Sequence, residues 1–347
     1  MATRRDKPLQ HPEYRKQILG RREFARRLLA TVGFGGGVAY LALAPENWPL
    51  SLRDGSGLRS VPAERPMRLG DYRVPPPAGS AEVAVGYGSS VAERLDKALD
   101  AVGGLRHYIE PGEIVLVKPN VAFDRSPNLG ATTHPEILGE LVRRLLVECR
   151  AQEVRVADNP IESPADCFAK SGIRRVVERA GGRIYLPDSN AFRTLATPGA
   201  RLIESWPVLY RPLTNVDKVI GVAPAKDHNL CQASLGIKNW YGLLGGRRNQ
   251  FHQDIHEIVS DLALMMRPTL TIVDGSRVLM KNGPTGGDPS NVKPGHAVVV
   301  GVDPVAVDAW SYRHLLERDD ELPAYLRKAE EKGTGRIDAA GRLREIA

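Results

Sequence analysis

Lysines, asparagines and a histidine follow the apolar, strand-like runs of this 347-residue chain. Lys118 and Asn120 follow one run, and Lys226 and His228 follow another. A lysine that an apolar run carries to a strand end loses much of its hydration, so it requires an anionic partner. These residues therefore predict a site for a small ligand that bears a carboxylate or a phosphate.

A glycine-rich segment, residues 235–246, adds Lys238 and Asn239 to this set. Glycine lets backbone N–H groups approach a ligand closely, but the Walker and dinucleotide-binding spacings are missing. We predict that Lys238 holds the anion together with Lys118 and Lys226, and that the two asparagines orient it. The alternative is a tight turn with a surface lysine.

Histidines could supply a metal site or a proton-transfer group. His252 and His256 are four residues apart and would share one face of a helix. With His228 and Asp274 from two strand ends, they would ligate a transition metal such as zinc, iron or nickel. His228 is alternatively a general acid or base, and the other two histidines alternatively form a solvated pair.

Asp308 is the second predicted catalytic residue. It lies one turn inside an otherwise apolar helix start, after Asp303, which is well placed as the N-cap. A carboxylate buried at this position needs a positive partner, and we predict Lys226 or Lys238 in that role.

The elements that position these residues alternate between strand-like and helix-like patterns. Strands are predicted at residues 81–87, 113–117, 153–157, 183–186, 218–222, 269–273 and 297–302. Helices are predicted at residues 90–102, 135–150, 165–180, 255–266, 304–316 and 322–332. This order predicts an α/β fold with an open, mostly parallel sheet and helices on both faces. Ligands bind at the carboxyl ends of such strands.

The N-terminal region has the layout of a twin-arginine export signal. Arg21 and Arg22 precede Phe24 and an apolar stretch at residues 28–44. Pro45 directly follows the apolar stretch and would hinder cleavage of the signal there. The alternative is therefore an uncleaved form that stays tethered to the inner membrane. The signal predicts the export machinery as a partner and a periplasmic location for the folded protein.

Three regions follow from this reading. Residues 1–44 form the signal, residues 45–80 form a linker rich in Pro, Gly and Ser, and residues 81–347 form a single α/β domain behind them. Nine of the 48 basic and three of the 41 acidic residues lie in the signal, so the net charge of +7 falls to +1 without it. This balance excludes a charge-driven nucleic-acid binder. Three cysteines exclude a built-in four-cysteine iron–sulfur cluster.

These motifs, in this order, resemble domain of unknown function family 362. The motifs are the strand-end Lys-Pro-Asn, Thr-x-Pro, Lys-x-His, Gly-x-Lys-Asn, Asp-Gly, Gly-Pro-x-x-Gly and Asp-Pro-Val-Ala-x-Asp, at residues 118–120, 133–135, 226–228, 236–242, 274–275, 283–287 and 303–308. The resemblance implies a site at the same strand ends and glycine loops, but it implies little about activity. Some relatives carry a ferredoxin-like module, for which this chain lacks the cysteines.

Two classes of function fit the sequence. The first is an exported enzyme that acts on a small anionic substrate, with or without a metal. The second is a non-catalytic periplasmic binding or accessory protein for a membrane or redox complex. Turnover of a bound ligand separates the two.

Overall fold

The computed structural model describes residues 67–347 of the chain. The predicted export signal and the first part of the predicted linker lie outside these residues, and both stay predictions. Within residues 67–347, no helix has the length and apolar character needed to cross a bilayer.

Ten of the twelve strands in the described part form one sheet, and two form a small separate sheet. The strands are β1 Val83–Tyr87, β2 Ile114–Pro119, β3 Glu153–Ala157, β4 Arg183–Tyr185, β5 Phe192–Ala196, β6 Ser205–Leu209, β7 Lys218–His228, β8 Gln232–Ser234, β9 Leu270–Leu279, β10 Val292–Lys293, β11 Ala297–Gly301 and β12 Leu343–Ile346. The large sheet has the order β12-β1-β11-β9-β7-β2-β3-β4, with β10 beside β9 and β8 beside β7.

The centre of the large sheet is parallel. Strands β4, β3, β2, β7 and β9 run in one direction, so their carboxyl ends share one edge. Strand β11 is antiparallel to both of its neighbours, β9 and β1. The prediction of an α/β fold with a mostly parallel sheet is confirmed.

Helices cover both faces of this sheet. They are α1 Val91–Ala101, α2 Leu105–Tyr108, α3 Pro135–Val147, α4 Pro164–Lys170, α5 Ile173–Arg179, α6 Gly236–Asn239, α7 Ile255–Met265, α8 Pro304–His314 and α9 Ala324–Glu331. The apolar stripes of α1 and α3 pack on one face, where Leu95 and Leu141 are buried beside Val222. On the other face α7 buries Leu262 beside Val219.

Local chemistry explains several differences from the prediction. The helix predicted at residues 165–180 is two helices, because Gly172 adopts a left-handed conformation with φ +74° between them. The strand predicted to end at Val222 continues to His228, since it pairs back onto β8. Strands β5 and β6, which form the small antiparallel sheet, carry mostly half-buried or exposed residues and gave no clear sequence signal.

The folded unit begins before the predicted boundary at residue 81. Tyr72 donates its backbone N–H to the carbonyl oxygen of Arg267 at 3.0 Å. The carbonyl oxygen of Tyr72 accepts a hydrogen bond from the Thr269 hydroxyl at 2.7 Å. Residues 67–80, which we predicted as the end of the linker, therefore lie against the domain although they form no helix.

Candidate functional site

A small cavity lies at the carboxyl ends of β2, β3 and β7. Its volume is about 70 Å³, and its walls include Lys118, Lys226 and Lys238. We call it the lysine pocket. Sites for drug-sized ligands usually enclose ~300–1,000 Å³, so this cavity suits only a small ligand. The strand ends and the glycine-rich segment thus bring together lysines that lie up to 120 residues apart in sequence.

Lys118 is fully buried and already paired. Its Nζ lies 2.7 Å from Oδ1 of Asp158 and also donates to the carbonyl oxygen of Pro119 and to Oδ1 of Asn239. These three acceptors satisfy the three N–H groups of an ammonium. Burial lowers the pKa of Lys118, and the carboxylate of Asp158 acts against that shift.

The pair between Lys118 and Asp158 requires a glycine beside it. A Cβ atom on Gly242 would lie 1.9 Å from Oδ1 of Asp158 and 2.6 Å from Nζ of Lys118. Gly242 belongs to the 3₁₀-helix Trp240–Leu243, which follows α6 directly. The glycine in this segment therefore makes room for the ion pair.

Lys226 is only 1% exposed and has no carboxylate partner among residues 67–347. Its Nζ donates to Oδ1 of Asn120 at 3.1 Å and to the carbonyl oxygen of Ala131 at 2.7 Å. The ring of Phe123 lies 5.3 Å from the same atom. Burial, reinforced by the positive charge of Lys238, lowers the pKa of Lys226 to about 7.

Lys238 lies on α6 and is 8% exposed. Its Nζ sits 5.1 Å from the centre of the Tyr241 ring, and within the described residues it donates no hydrogen bond. Burial lowers the pKa of this lysine. Of the three lysines in the pocket, Lys238 is therefore the one that a bound anion would stabilise most.

His228 lines the same pocket as a neutral imidazole. Its Nδ1 accepts the backbone N–H of Leu230 at 3.2 Å, so the ring proton resides on Nε2. Burial, together with the charges of Lys238 and Lys226, lowers the pKa of His228 to about 2. This arrangement suits a hydrogen-bond donor to a ligand better than the predicted general base.

The two asparagines connect the lysines to one another. Oδ1 of Asn239 accepts from Nζ of Lys118 at 2.8 Å and from Nδ2 of Asn120 at 3.3 Å. Oδ1 of Asn120 in turn accepts from Lys226. Both amides hold lysine side chains in place, whereas we predicted that they would orient the ligand directly.

Asp308 does not pair with a lysine, contrary to the prediction. Its oxygens accept the backbone N–H groups of Gly236 at 2.7 Å and Ile237 at 3.0 Å, and the side chain is fully buried. Burial raises the pKa of Asp308 to about 7, although the two hydrogen bonds act in the opposite direction. Asp308 therefore positions α6, which carries Lys238. Asp303 is the N-cap of α8, as predicted.

Of the four predicted metal ligands, His228 and His252 line the lysine pocket, whereas His256 and Asp274 lie elsewhere. His252 lies in the 3₁₀-helix Arg248–Asp254, which precedes α7, so it shares no α-helical face with His256. His252 lines the pocket, but His256 stacks on Tyr325. Asp274 accepts backbone N–H groups from His134 and Ser276, away from the pocket lining. Within residues 67–347, no group of three or more His, Cys, Asp or Glu could hold a metal ion.

Two charged residues of the site were missed by the sequence analysis. Asp158 directly follows β3, so the strand-end argument that selected Lys118 could have found it. Arg248 donates to the carbonyl oxygens of Tyr241, Leu244, Asn159 and Pro160. Nothing in the sequence distinguishes this arginine from Arg247, because its role depends on how the loops converge.

Comparisons with known proteins identify similar chains. The family model described as Domain of unknown function (DUF362) matches residues 115–313. The Thylakoid-associated protein sll1697 from Synechocystis sp. is 26% identical in an alignment of 220 residues, which covers 58% of this chain and 64% of that protein. The chain thus spans less than two thirds of the length of this curated relative.

Two solved structures are distantly similar. A protein from Thermotoga maritima aligns over 71% of this chain and 58% of its own, with 14% identity and a TM-score of 0.34. The lactate racemase apoprotein from Thermoanaerobacterium thermosaccharolyticum aligns over 60% and 54%, with 16% identity and a TM-score of 0.33. Both TM-scores are low, so these two structures support no conclusion about this chain.

Proposed function

The chain belongs to the family described as Domain of unknown function (DUF362), and we propose that it binds a small carboxylate- or phosphate-bearing anion in the lysine pocket. The observation that supports this proposal is Lys238, whose side chain is 8% exposed and whose Nζ donates to no hydrogen-bond acceptor among the described residues. Removal of an ion from water costs several kcal/mol unless a partner compensates. An anion in the cavity would supply that partner.

The charge balance around the pocket favours the same function. Lys118, Lys226, Lys238 and Arg248 line it, and Asp158 is the carboxylate among its lining residues. Asp158 is committed to Lys118, and Arg248 is committed to four carbonyl oxygens. An anion that enters would contact Lys238 and the protonated form of Lys226, and it could accept a hydrogen bond from the neutral imidazole of His228.

Calorimetric titration with acetate and with inorganic phosphate tests this proposal. Wild-type protein should bind at least one of the two anions at pH 6.5. Lys238→Gln should weaken that binding by about 10- to 150-fold, because a hydrogen bond between charged groups contributes about 1.5–3 kcal/mol.

The matched control is Lys97→Gln. Lys97 lies on α1, on the opposite face of the sheet, where it pairs with Glu93. This variant loses the same formal charge, so its affinity should match the wild type. Absence of binding to wild-type protein, or equal affinity of the Lys238→Gln variant, would refute the proposed anion site.

A further inference from the structure

We propose that Lys226 is a nucleophile that forms an imine with the carbonyl carbon of a small 2-oxo acid, while Lys238 holds the carboxylate of that acid. This inference rests on the proposed anion site and assigns a separate, covalent role to the second lysine. It places the protein among the enzymes that activate a carbonyl substrate through a lysine.

The hydrogen bonds indicate that Lys118 is a protonated ammonium and that Lys226 is a neutral amine. Nζ of Lys118 has three acceptors, one of which is the carboxylate of Asp158, and these match the three N–H groups of an ammonium. Among residues 67–347, Nζ of Lys226 has two acceptors, both uncharged oxygens. A neutral amine has two N–H groups and one lone pair, so both of its protons are satisfied and the lone pair is left to react.

The surroundings of Lys226 disfavour its charge. The side chain is 1% exposed, it faces the ring of Phe123, and its charged neighbour Lys238 has the same sign. The pKa of about 7 means that a large share of Lys226 is the free amine at neutral pH. An ordinary lysine, with a pKa of ~10.4, offers only a trace of that form.

The chemistry balances without a further reactant. The amine nitrogen of Lys226 attacks the carbonyl carbon, and the electrons of the C=O π bond move to the oxygen. The oxygen takes the two hydrogens of the amine in turn and leaves as water, while a C=N bond forms. No oxidant or reductant is needed. His228, whose Nε2 carries a proton, lines the same cavity and can donate a hydrogen bond to the departing oxygen.

The 2-oxo acid class follows from the two lysines. Lys238 needs an anionic group as its partner, and the amine of Lys226 needs a carbonyl carbon to attack. Both groups must fit in the same cavity of about 70 Å³. A 2-oxo acid has its carbonyl group directly beside its carboxylate, which is the most compact arrangement of these two groups. Pyruvate is therefore the probe of choice, and propionate, which lacks the carbonyl group, is its matched control.

Borohydride trapping tests the imine in the full-length protein. Incubation with pyruvate and sodium borohydride should convert the imine to a stable secondary amine, which peptide mass spectrometry locates. At a saturating concentration of pyruvate, we expect the adduct on Lys226 in large excess over every other lysine, with a yield that rises between pH 6 and pH 8. Lys226→Arg should abolish this adduct, whereas Lys97→Arg should retain it.

The outcomes separate the two proposals. Binding of both pyruvate and propionate without an adduct would overturn the imine and leave the anion site intact. Absence of binding and of an adduct would overturn both. An adduct spread evenly over exposed lysines would also overturn the imine, and this result needs only wild-type protein, so it does not depend on whether the Lys226→Arg variant folds.

Discussion

Replacement of Asp158 by alanine is expected to lower the free energy of unfolding by about 3–5 kcal/mol, because it leaves Lys118 as an uncompensated buried charge. Lys118 is fully buried and its Nζ lies 2.7 Å from the carboxylate. The same carboxylate accepts the backbone N–H groups of Val121 and Asn159, which would lose their acceptor. Urea unfolding followed by circular dichroism measures the change.

Two variants control this measurement. Asp71 and Arg73 form an exposed salt bridge, so Asp71→Ala should change the free energy of unfolding by at most about 1 kcal/mol. The double variant Lys118→Met with Asp158→Leu removes both buried charges and should recover part of the loss. If Asp158→Ala were as mild as Asp71→Ala, the buried pair would not hold this edge of the sheet together.

Replacement of Asp308 by alanine is expected to lower the free energy of unfolding by roughly 2 kcal/mol or more. Two buried backbone N–H groups, those of Gly236 and Ile237, would lose their acceptors, and each unsatisfied donor costs about 1–3 kcal/mol. Because α6 carries Lys238, the affinity for acetate or phosphate should fall as well. Urea unfolding and calorimetric titration report the two effects separately.

Asp308→Asn is the matched control, since it keeps one carbonyl oxygen as an acceptor and should lose less stability than alanine. Space at this point is tight, because a Cβ on Gly236 would lie 2.8 Å from the Asp308 carboxyl group. A folded Asp308→Ala protein with wild-type anion affinity would show that Asp308 does not position Lys238.

The positions of side chains after apolar runs predicted which residues meet in the lysine pocket. Lys118, Asn120, Lys226 and His228 follow apolar runs, and parallel strands place their carboxyl ends at one edge. The glycine-rich segment was also recognisable in the sequence, because glycines beside a lysine indicate that backbone N–H groups can approach a ligand closely. Whether these residues bind an anion stays a prediction until it is measured.

Roles within the site could not be predicted in the same way. The sequence predicts that Asp308 is buried, but it does not predict that backbone N–H groups, rather than a lysine, are its partners. The spacing of His252 and His256 indicates a shared helical face only if one α-helix contains both, and here a 3₁₀-helix ends between them. Arg248 acts through loops that meet only in the folded chain.

The pKa of Lys226 links anion binding to pH. The folded-state pKa of about 7 lies below the ordinary value, so free protein at pH 8 holds this lysine largely as the neutral amine. An anion stabilises the charged form and raises that pKa, so binding must draw a proton from solution. Affinity should therefore fall as the pH rises through 7.

Proton uptake during acetate binding tests the central claim most directly. Calorimetric titrations at pH 8, in two buffers with different ionisation enthalpies, give the number of protons taken up for each anion bound. Anion binding at the buried lysines predicts net uptake at pH 8 that becomes small near pH 6, where Lys226 is already largely protonated and acetate is still ionised. Acetate binding with no proton uptake at pH 8 would contradict it.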